Sequence, residues 1–433
     1  MKNVLFALAV IVISGIFQIA AAQTSTTPTP PKAMPTISES IAQSISRIND
    51  KTPVSRERRE GAYAKLLEGQ GYIWKLRNAR SDAALASGGL LARQSLQRAV
   101  ELDPVLAEAY TALAELAKNA PPYNIEDSIT LAVVATKIDA NNFGGHLILA
   151  QLYTFKSRLN RGILDPLPTE KAIAEWKEVV RLDPRSAEAH AFLSDLYGRT
   201  GKPAEKIAEL RSWVASAPPI SNGFYGRIFR GESLAPENAA LKLGEALTKA
   251  GQTREAVEIL SLSVADDPNN QEAVDLLGEA VKSADEGASA VAVEALKQAV
   301  YANAENTSLL VLLAQVQAKA GKTDDAAKVL QTAATELTAR DENSAANLQT
   351  VLGDIFAEKN RYDEAVTAYQ NALTIRGIGE TDAVAPDRRD FAIRIFDKII
   401  EIYRKSNRLT EAKAVIERAR LVLRKSDLFA DKG

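Results

Sequence analysis

Residues 187–218, AEAHAFLSDLYGRTGKPAEKIAELRSWVASAP, constrain the fold more than any other stretch, because most of the chain restates their pattern. Leu193, Ser194, Tyr197, Ile207, Leu210 and Val214 fall at helical spacing on both sides of a turn at 200–203, which predicts a helix hairpin. Pro184 and Pro218 stand 34 residues apart and close the unit at its two ends. A hairpin of that size cannot bury its apolar face alone, so copies must stack on one another.

Irregular copies begin near Ala62. AYAKLLEGQGYIWKLR and LLARQSLQRAVELDP form a degenerate first pair, separated by SDAALASGG, which reads as an overlong turn. A second copy runs from Ala107 to about Asn142, and a third from Phe143 to Ser186 with an insertion around 158–167. Residues 187–218 are the fourth. Residues 221–236, SNGFYGRIFRGESLAP, hold three glycines and three aromatics and interrupt the helical phase, as an elbow or an inserted loop. Copies resume from Glu237, Gln271, Thr307, about Ala346 and Ile393, with a further insertion at 376–390. The expected units are therefore repeats at 62–220, the Gly/aromatic segment at 221–236, repeats with a C-terminal cap at 237–426, and a tail at 427–433.

What precedes the repeats is different in kind. Lys2 opens a short positive region, 4–22 is apolar apart from Ser14, Gly15 and Gln18, and Ala20-Ala21-Ala22 ends it. This reads as a secretory signal peptide at 1–22, cleaved after Ala22; the alternative is an uncleaved membrane anchor. Either reading places the remainder outside the cytoplasm, periplasmic or secreted, and Asn306-Thr307-Ser308 would be a glycosylation acceptor in a eukaryotic secretory route. Residues 23–36, QTSTTPTPPKAMPT, carry four prolines and five threonines and read as an extended linker. Ile37, Ile41, Ile45 and Ile48 predict a short amphipathic helix in a capping region at 37–61.

The recurring residues carry a resemblance. Leu243, Gly244, Leu247, Gly251, Ala256, Leu260 and Pro268, and again Leu352, Gly353, Phe356, Tyr362, Ala365, Tyr369 and Ala372, resemble the pattern of the tetratricopeptide repeat over roughly residues 62–426. The resemblance implies an all-α fold: an α-solenoid of about nine stacked antiparallel helix hairpins in a right-handed superhelix. Small residues would sit where two helices cross, with Leu and Tyr filling the layers between them. Three positions depart from the pattern. Lys206 and Trp213 replace alanines of the fourth repeat, so its second helix must pack differently, and Ile400 replaces the small residue of the last repeat, which would be the cap.

Chemistry-bearing patterns are sparse. The chain has no cysteine, which excludes disulfides and thiolate chemistry, and its 53 basic and 55 acidic residues give a net charge of −2, which offers no global field for nucleic acid. His146 and His190 are the only histidines and occupy the fourth repeat position, where an imidazole packs in a hairpin interface. Gly321-Lys322-Thr323 lacks the first glycine of a phosphate loop, since Val316 stands there. No nucleophile motif occurs, so the expectation is a protein without enzymatic activity, cofactor or metal site.

The resemblance also implies a concave inner wall formed by the first helix of each pair. Its ninth positions would be Glu115, Gln151, Asp195, Glu245, Glu279, Gln315, Asp354 and Glu401, with Asp275 and Asp397 beside them. Only a few cations, such as Lys282, Arg394 and Arg404, are expected there. Such a wall would favour a basic or polar extended segment of a protein partner; the alternative is that the carboxylates only solvate an Ala-rich face. Family members that clamp a peptide C-terminus use Lys, Arg and Asn at these positions, and acidic residues argue against that version. Phe224, Tyr225 and Phe229 read as cover for an exposed stack end, or alternatively as a ligand surface. The Arg/Lys-rich C-terminal segment reads as a solvated face, with an acidic partner or phospholipid headgroups as the alternative.

The expected function is a non-enzymatic protein-binding or assembly scaffold of a bacterial-type cell envelope. The alternatives are a regulatory or substrate-presenting subunit of an envelope enzyme complex, and a membrane-tethered assembly factor. Nucleic acid is not an expected partner.

Overall fold

The structure is a computed structural model and describes residues 35–50, 52–76, 81–158, 164–217, 223–303 and 305–430. The expected signal peptide and most of the linker lie outside the described residues, and no strand occurs among them. No helix of the described chain is long and apolar enough to cross a membrane.

Two short helices, α1 (Ile37–Ser40) and α2 (Ala42–Ser46), come first. Then follow, in consecutive partners, α3 (Arg56–Leu76) with α4 (Asp82–Leu102), α5 (Ala107–Asn119) with α6 (Ile125–Ile138), and α7 (Phe143–Ser157) with α8 (Pro166–Leu182). Next is α9 (Ala187–Arg199) with α10 (Pro203–Val214), and then a single short helix, α11 (Gly223–Ile228). The pairs resume with α12 (Pro236–Lys249) and α13 (Thr253–Asp266); α14 (Gln271–Lys282) and α15 (Glu286–Ala302) follow and both pack on α13, and α16 (Thr307–Lys319) then pairs with α17 (Thr323–Leu337). They end with α18 (Glu342–Glu358) and α19 (Tyr362–Ile375), then α20 (Arg389–Lys405) and α21 (Leu409–Leu423).

Local chemistry sets each joint. Asp103, Asp139, Asp183 and Asp267 end second helices, and each accepts the backbone N–H two residues on, at 2.9–3.2 Å. This Asx turn reverses the chain. Asn142, Ser186, Asn270 and Asn306 then cap the next helix through their side-chain oxygens. Within a hairpin, the tight turn requires one left-handed residue, supplied by Gly201, Gly251 and Gly321 at φ 72–76° and by Asn360 and Asn407 at φ 58–59°. Gly321, set aside above as a phosphate-loop glycine, is one of these turn residues.

Packing begins at the crossing inside each hairpin. A Cβ added to Gly69, Gly244 or Gly353 would lie 2.5 Å from Leu96, 2.5 Å from Leu260 and 2.4 Å from Tyr369 respectively, so each large residue fills the space the glycine leaves. The second helix of each pair then packs on the first helix of the next, from α4 on α5 to α19 on α20. Three clusters of buried residues follow one another along the chain and share helices: α7 contributes to the first and second, α16 to the second and third. At the N-terminus, buried Asp127 of α6 accepts the Ile37 N–H at 2.8 Å and the Ser38 N–H at 3.0 Å, which docks α1 with Ile37 and Ile41 in the core.

Several expectations are corrected. SDAALASGG is not a turn: Ser81 caps α4 by accepting the Ala84 N–H at 3.2 Å, and the helix runs straight through it. Gly88 allows close approach instead, since a Cβ there would lie 2.6 Å from Leu76. The 221–236 segment does not cut the stack, because α12 packs directly on α10 and the second cluster runs past it from Ala150 to Ala320. Trp213, the large residue in place of alanine, is buried beneath that segment and donates its Nε1–H to the Leu234 carbonyl at 2.9 Å. Ile400 is fully buried at the last crossing. Leu428 and Phe429 of the tail pack against the third cluster.

Gly353→Ala is expected to destabilise the protein by about 1–3 kcal/mol, because the methyl group overlaps the Tyr369 ring. Gly71→Ala, with no atom within 4 Å of the added Cβ in α3, is expected to stabilise by up to about 1 kcal/mol through helix propensity. Thermal unfolding followed by circular dichroism separates the two signs.

Candidate functional site: an inner wall in three parts

Counting Ala187 as the first position of its repeat, the residues that face inward on α9 are the second, fifth, sixth and ninth, since 3.6 residues per turn bring these to one face. The sixth position belongs to this face but is absent from the sequence expectation. It decides the character of the wall: Phe192 on α9, Lys242 on α12, Leu276 on α14, Leu312 on α16, Val351 on α18 and Lys398 on α20.

A groove of about 710 Å³ lies between α14, α16 and α18. Leu276, Val311, Leu312 and Val351 are part of its apolar floor, while Asp275, Glu279, Gln315 and Asp354 bring four of the ten expected site residues together. Glu358, Lys282 and Lys319 complete the charges, so four carboxylates face two ammonium groups. Glu279 pairs with Lys282 at 2.5 Å, and Asp275 accepts from the Gln271 amide at 2.8 Å. Lys319 is spent on the end of α14, donating to the Val281 and Lys282 carbonyls at 2.7 and 2.5 Å. Asp354 accepts from the Tyr369 hydroxyl at 2.5 Å and pairs with Lys398 at 2.6 Å, so part of its charge is committed to packing. Asp397 and Glu401 stand on α20 outside this groove, and Glu245 stands on α12, paired with Lys249 at 2.5 Å. The Lys249 hydrogen bond, opposed by partial burial, holds the Glu245 carboxyl below the usual range.

At the other end, Glu115 lines a separate hollow of about 520 Å³ with Gln70, Trp74, Glu108, Thr111 and Phe143. Trp74, 63% exposed, was not foreseen as a wall residue, although it stands five positions beyond Gly69 in the first repeat.

Between these two openings the wall is covered. Residues 223–232 lie across α9: Phe224, Tyr225 and Phe229 surround Phe192 with ring centroids at 5.3, 5.6 and 5.7 Å. Trp176 stacks on Phe192 at 4.8 Å, and its Nε1–H donates to Thr154 at 2.9 Å. The Tyr225 N–H donates to Glu188 at 3.1 Å, and the Tyr225 hydroxyl donates to Glu232 at 2.6 Å. Arg158 lies 4.9 Å over the Phe229 ring and pairs with Asp195, which also holds Arg199 at 3.0 Å. Gln151 is buried and accepts from Lys118 at 2.9 Å. Two expected groove residues, Gln151 and Asp195, are thus internal contacts. Burial pushes the Glu188 carboxyl up against its hydrogen bonds, and burial pulls the Lys118 ammonium down.

The few cations expected on the wall were an undercount. Arg158 comes from the segment after α7, Lys398 and Lys242 from the sixth position, and Lys249 from one turn beyond Glu245. The expectation of a mostly acidic wall therefore gives way to a mixed one, with the carboxylate excess kept in the α14–α18 groove.

The two histidines are packed in hairpin interfaces. Nδ1 of His146 lies 2.7 Å from Glu175 and Nδ1 of His190 lies 2.7 Å from Glu209. Their Nε2 atoms lie 3.2 and 3.1 Å from the carbonyls of Ala140 and Pro184. A neutral ring donates from one nitrogen only, so the His190 ring, set between two acceptors, is fully satisfied when protonated. Among the described residues, no group of three or more His, Asp or Glu side chains is placed to hold a metal ion.

The fold and wall define a class: an all-α repeat solenoid whose first helices line an inner groove. Residues 238–270 and 331–380 each match a family model described as tetratricopeptide repeat, so the chain carries tetratricopeptide repeats over those residues. Proteins of this class are generally non-enzymatic scaffolds that bind protein partners. No curated protein matches the chain. Solved structures with similar architecture include YrrB, described as a tetratricopeptide-repeat protein with an unusual peptide-binding site; it is 15% identical, over 50% of this chain and 95% of that one, with a TM-score of 0.33. A tetratricopeptide-repeat protein from Parabacteroides merdae is 15% identical over 66% of this chain and 99% of that one, with a TM-score of 0.31. PilW, described as a type IV pilus biogenesis factor, is 22% identical over 57% and 98%, with a TM-score of 0.26.

For His190, burial opposes the charge, but the Glu209 hydrogen bond, the Pro184 carbonyl and the charges of Glu209 and Asp183 outweigh it, and its pKa is raised above the ordinary 6.5. The stability it contributes is therefore complete below about pH 6.5 and is lost as pH rises through the folded-state value. Urea midpoints measured from pH 6 to 9 are expected to fall with pH in the wild type and to fall less steeply in Glu209→Gln.

Proposed function

We propose that the protein is a non-enzymatic protein-binding scaffold of the cell envelope, and that it holds an extended basic or polar segment of a partner in the α14–α18 groove. The observation that carries the reading is the composition of that groove: an apolar floor open to solvent, rimmed by four carboxylates against two lysines. An apolar floor supplies affinity by excluding water, and the carboxylate excess selects and steers a basic segment. Three helices side by side at about 8–10 Å spacing span roughly 20 Å, the length of about six extended residues. The envelope location rests on Lys2, the apolar run at 4–22 and Ala20-Ala21-Ala22.

Fluorescence polarisation with labelled decamers, matched in length and apolar content but basic or acidic, tests the groove. The basic decamer is expected to bind the wild type and to lose about tenfold in affinity in Asp275→Lys/Glu279→Lys, with weaker binding at higher salt. Equal binding of both decamers would sink the proposal. Intact mass of the native protein tests the location: a mature chain beginning at Gln23 supports export with cleavage, whereas a cytoplasmic full-length chain refutes it.

A further inference from the structure

We propose that the inner wall of α9 is a second peptide-recognition surface, held closed by the chain's own residues 223–232, and that the external segment it fits carries neighbouring aromatic side chains and an arginine. This surface is separate from the α14–α18 groove, and its test does not depend on that groove.

Position is the first argument. The covered residues, Glu188, Phe192 and Asp195, are the second, sixth and ninth of their repeat, and the sixth and ninth are the positions whose counterparts Leu276, Leu312, Val351, Glu279, Gln315 and Asp354 line the open groove. The occupant therefore sits where this fold otherwise exposes its wall.

The manner of binding is the second. Glu188 takes a backbone N–H of the segment at 3.1 Å, as a side chain holding a peptide main chain does. Phe192, backed by Trp176, is an aromatic platform for three rings, two of which, Phe224 and Phe229, remain half-buried. Arg158 closes over Phe229 while paired with Asp195, and Arg227 of the segment lies 5.7 Å over its own Phe224 ring. Aromatic anchors and guanidinium groups in a desolvated pocket are the usual source of binding energy at peptide interfaces.

Connectivity is the third. The segment is an insertion between α10 and α12, which pack directly on one another, so the stack continues without it. Gly223 at φ 45° and Gly231 at φ 84° stand at its two ends, where the chain enters and leaves the wall. An internal occupant enjoys a high effective concentration, so an external segment must outcompete it or wait for its release.

The test replaces 223–231 by a Gly/Ser linker of equal length and measures binding of a labelled synthetic peptide of residues 223–232. Folding is checked by circular dichroism. The folded replacement chain is expected to bind the peptide at least about tenfold more tightly than the wild type does, and a further Phe192→Ala change is expected to abolish the gain. A folded replacement chain that ignores the peptide overturns the proposal. If the replacement does not fold, Phe224→Ala/Phe229→Ala is measured in the same way. Failure of both variants to fold makes the segment an indispensable part of the core, which also overturns it.

Discussion

Everything in this molecule depends on how closely two helices of a hairpin cross. At Gly69, Gly244 and Gly353 the crossing leaves no room for a methyl group, and Leu96, Leu260 and Tyr369 fill the gap from the other side. That contact sets the separation and tilt within a pair, and stacking through the second helices then repeats it along the chain. The first helices are left with one face turned inward, and the stack does not consume it. Function, in such a fold, is a matter of what that face carries.

Here the face is not uniform. The sixth position of each first helix makes it aromatic at Phe192, cationic at Lys242 and Lys398, and apolar at Leu276, Leu312 and Val351. Carboxylates at the ninth position are therefore in different company at each repeat. Asp195 is bound by two arginines and Asp354 by a tyrosine and a lysine, whereas Glu279, paired with Lys282, stands at the rim of an open apolar groove. The more exposed of these pairs, such as Lys398 with Asp354, add little stability. Their effect is to divide the wall into segments of different chemistry, with the chain's own aromatic segment lying across the middle.

The repeat was legible in the sequence because its determinants are local. Asp before a turn, Asn or Ser before a helix, and Gly or Asn at the left-handed turn position act on their immediate backbone. Apolar spacing within one helix needs no knowledge of the next. The same local rules misled at SDAALASGG, which reads as an overlong turn but is helical with Gly88 packed closely on Leu76, because which partner a glycine faces is not a local property.

By itself, then, the sequence determined the helices, their pairing into hairpins and the need to stack, since these follow from backbone geometry and from a period short enough to be counted. Tertiary structure alone decided which wall residues meet. Lys398 reaches Asp354 across 44 residues, Arg158 reaches Asp195 across 37, and Phe224 and Phe229 settle on Phe192 from an insertion without helical phase. Such encounters depend on the rotation and rise between successive repeats, which set how far apart inner-facing side chains of different helices stand. A one-dimensional pattern places a residue on a face, and only the stacked fold places another beside it.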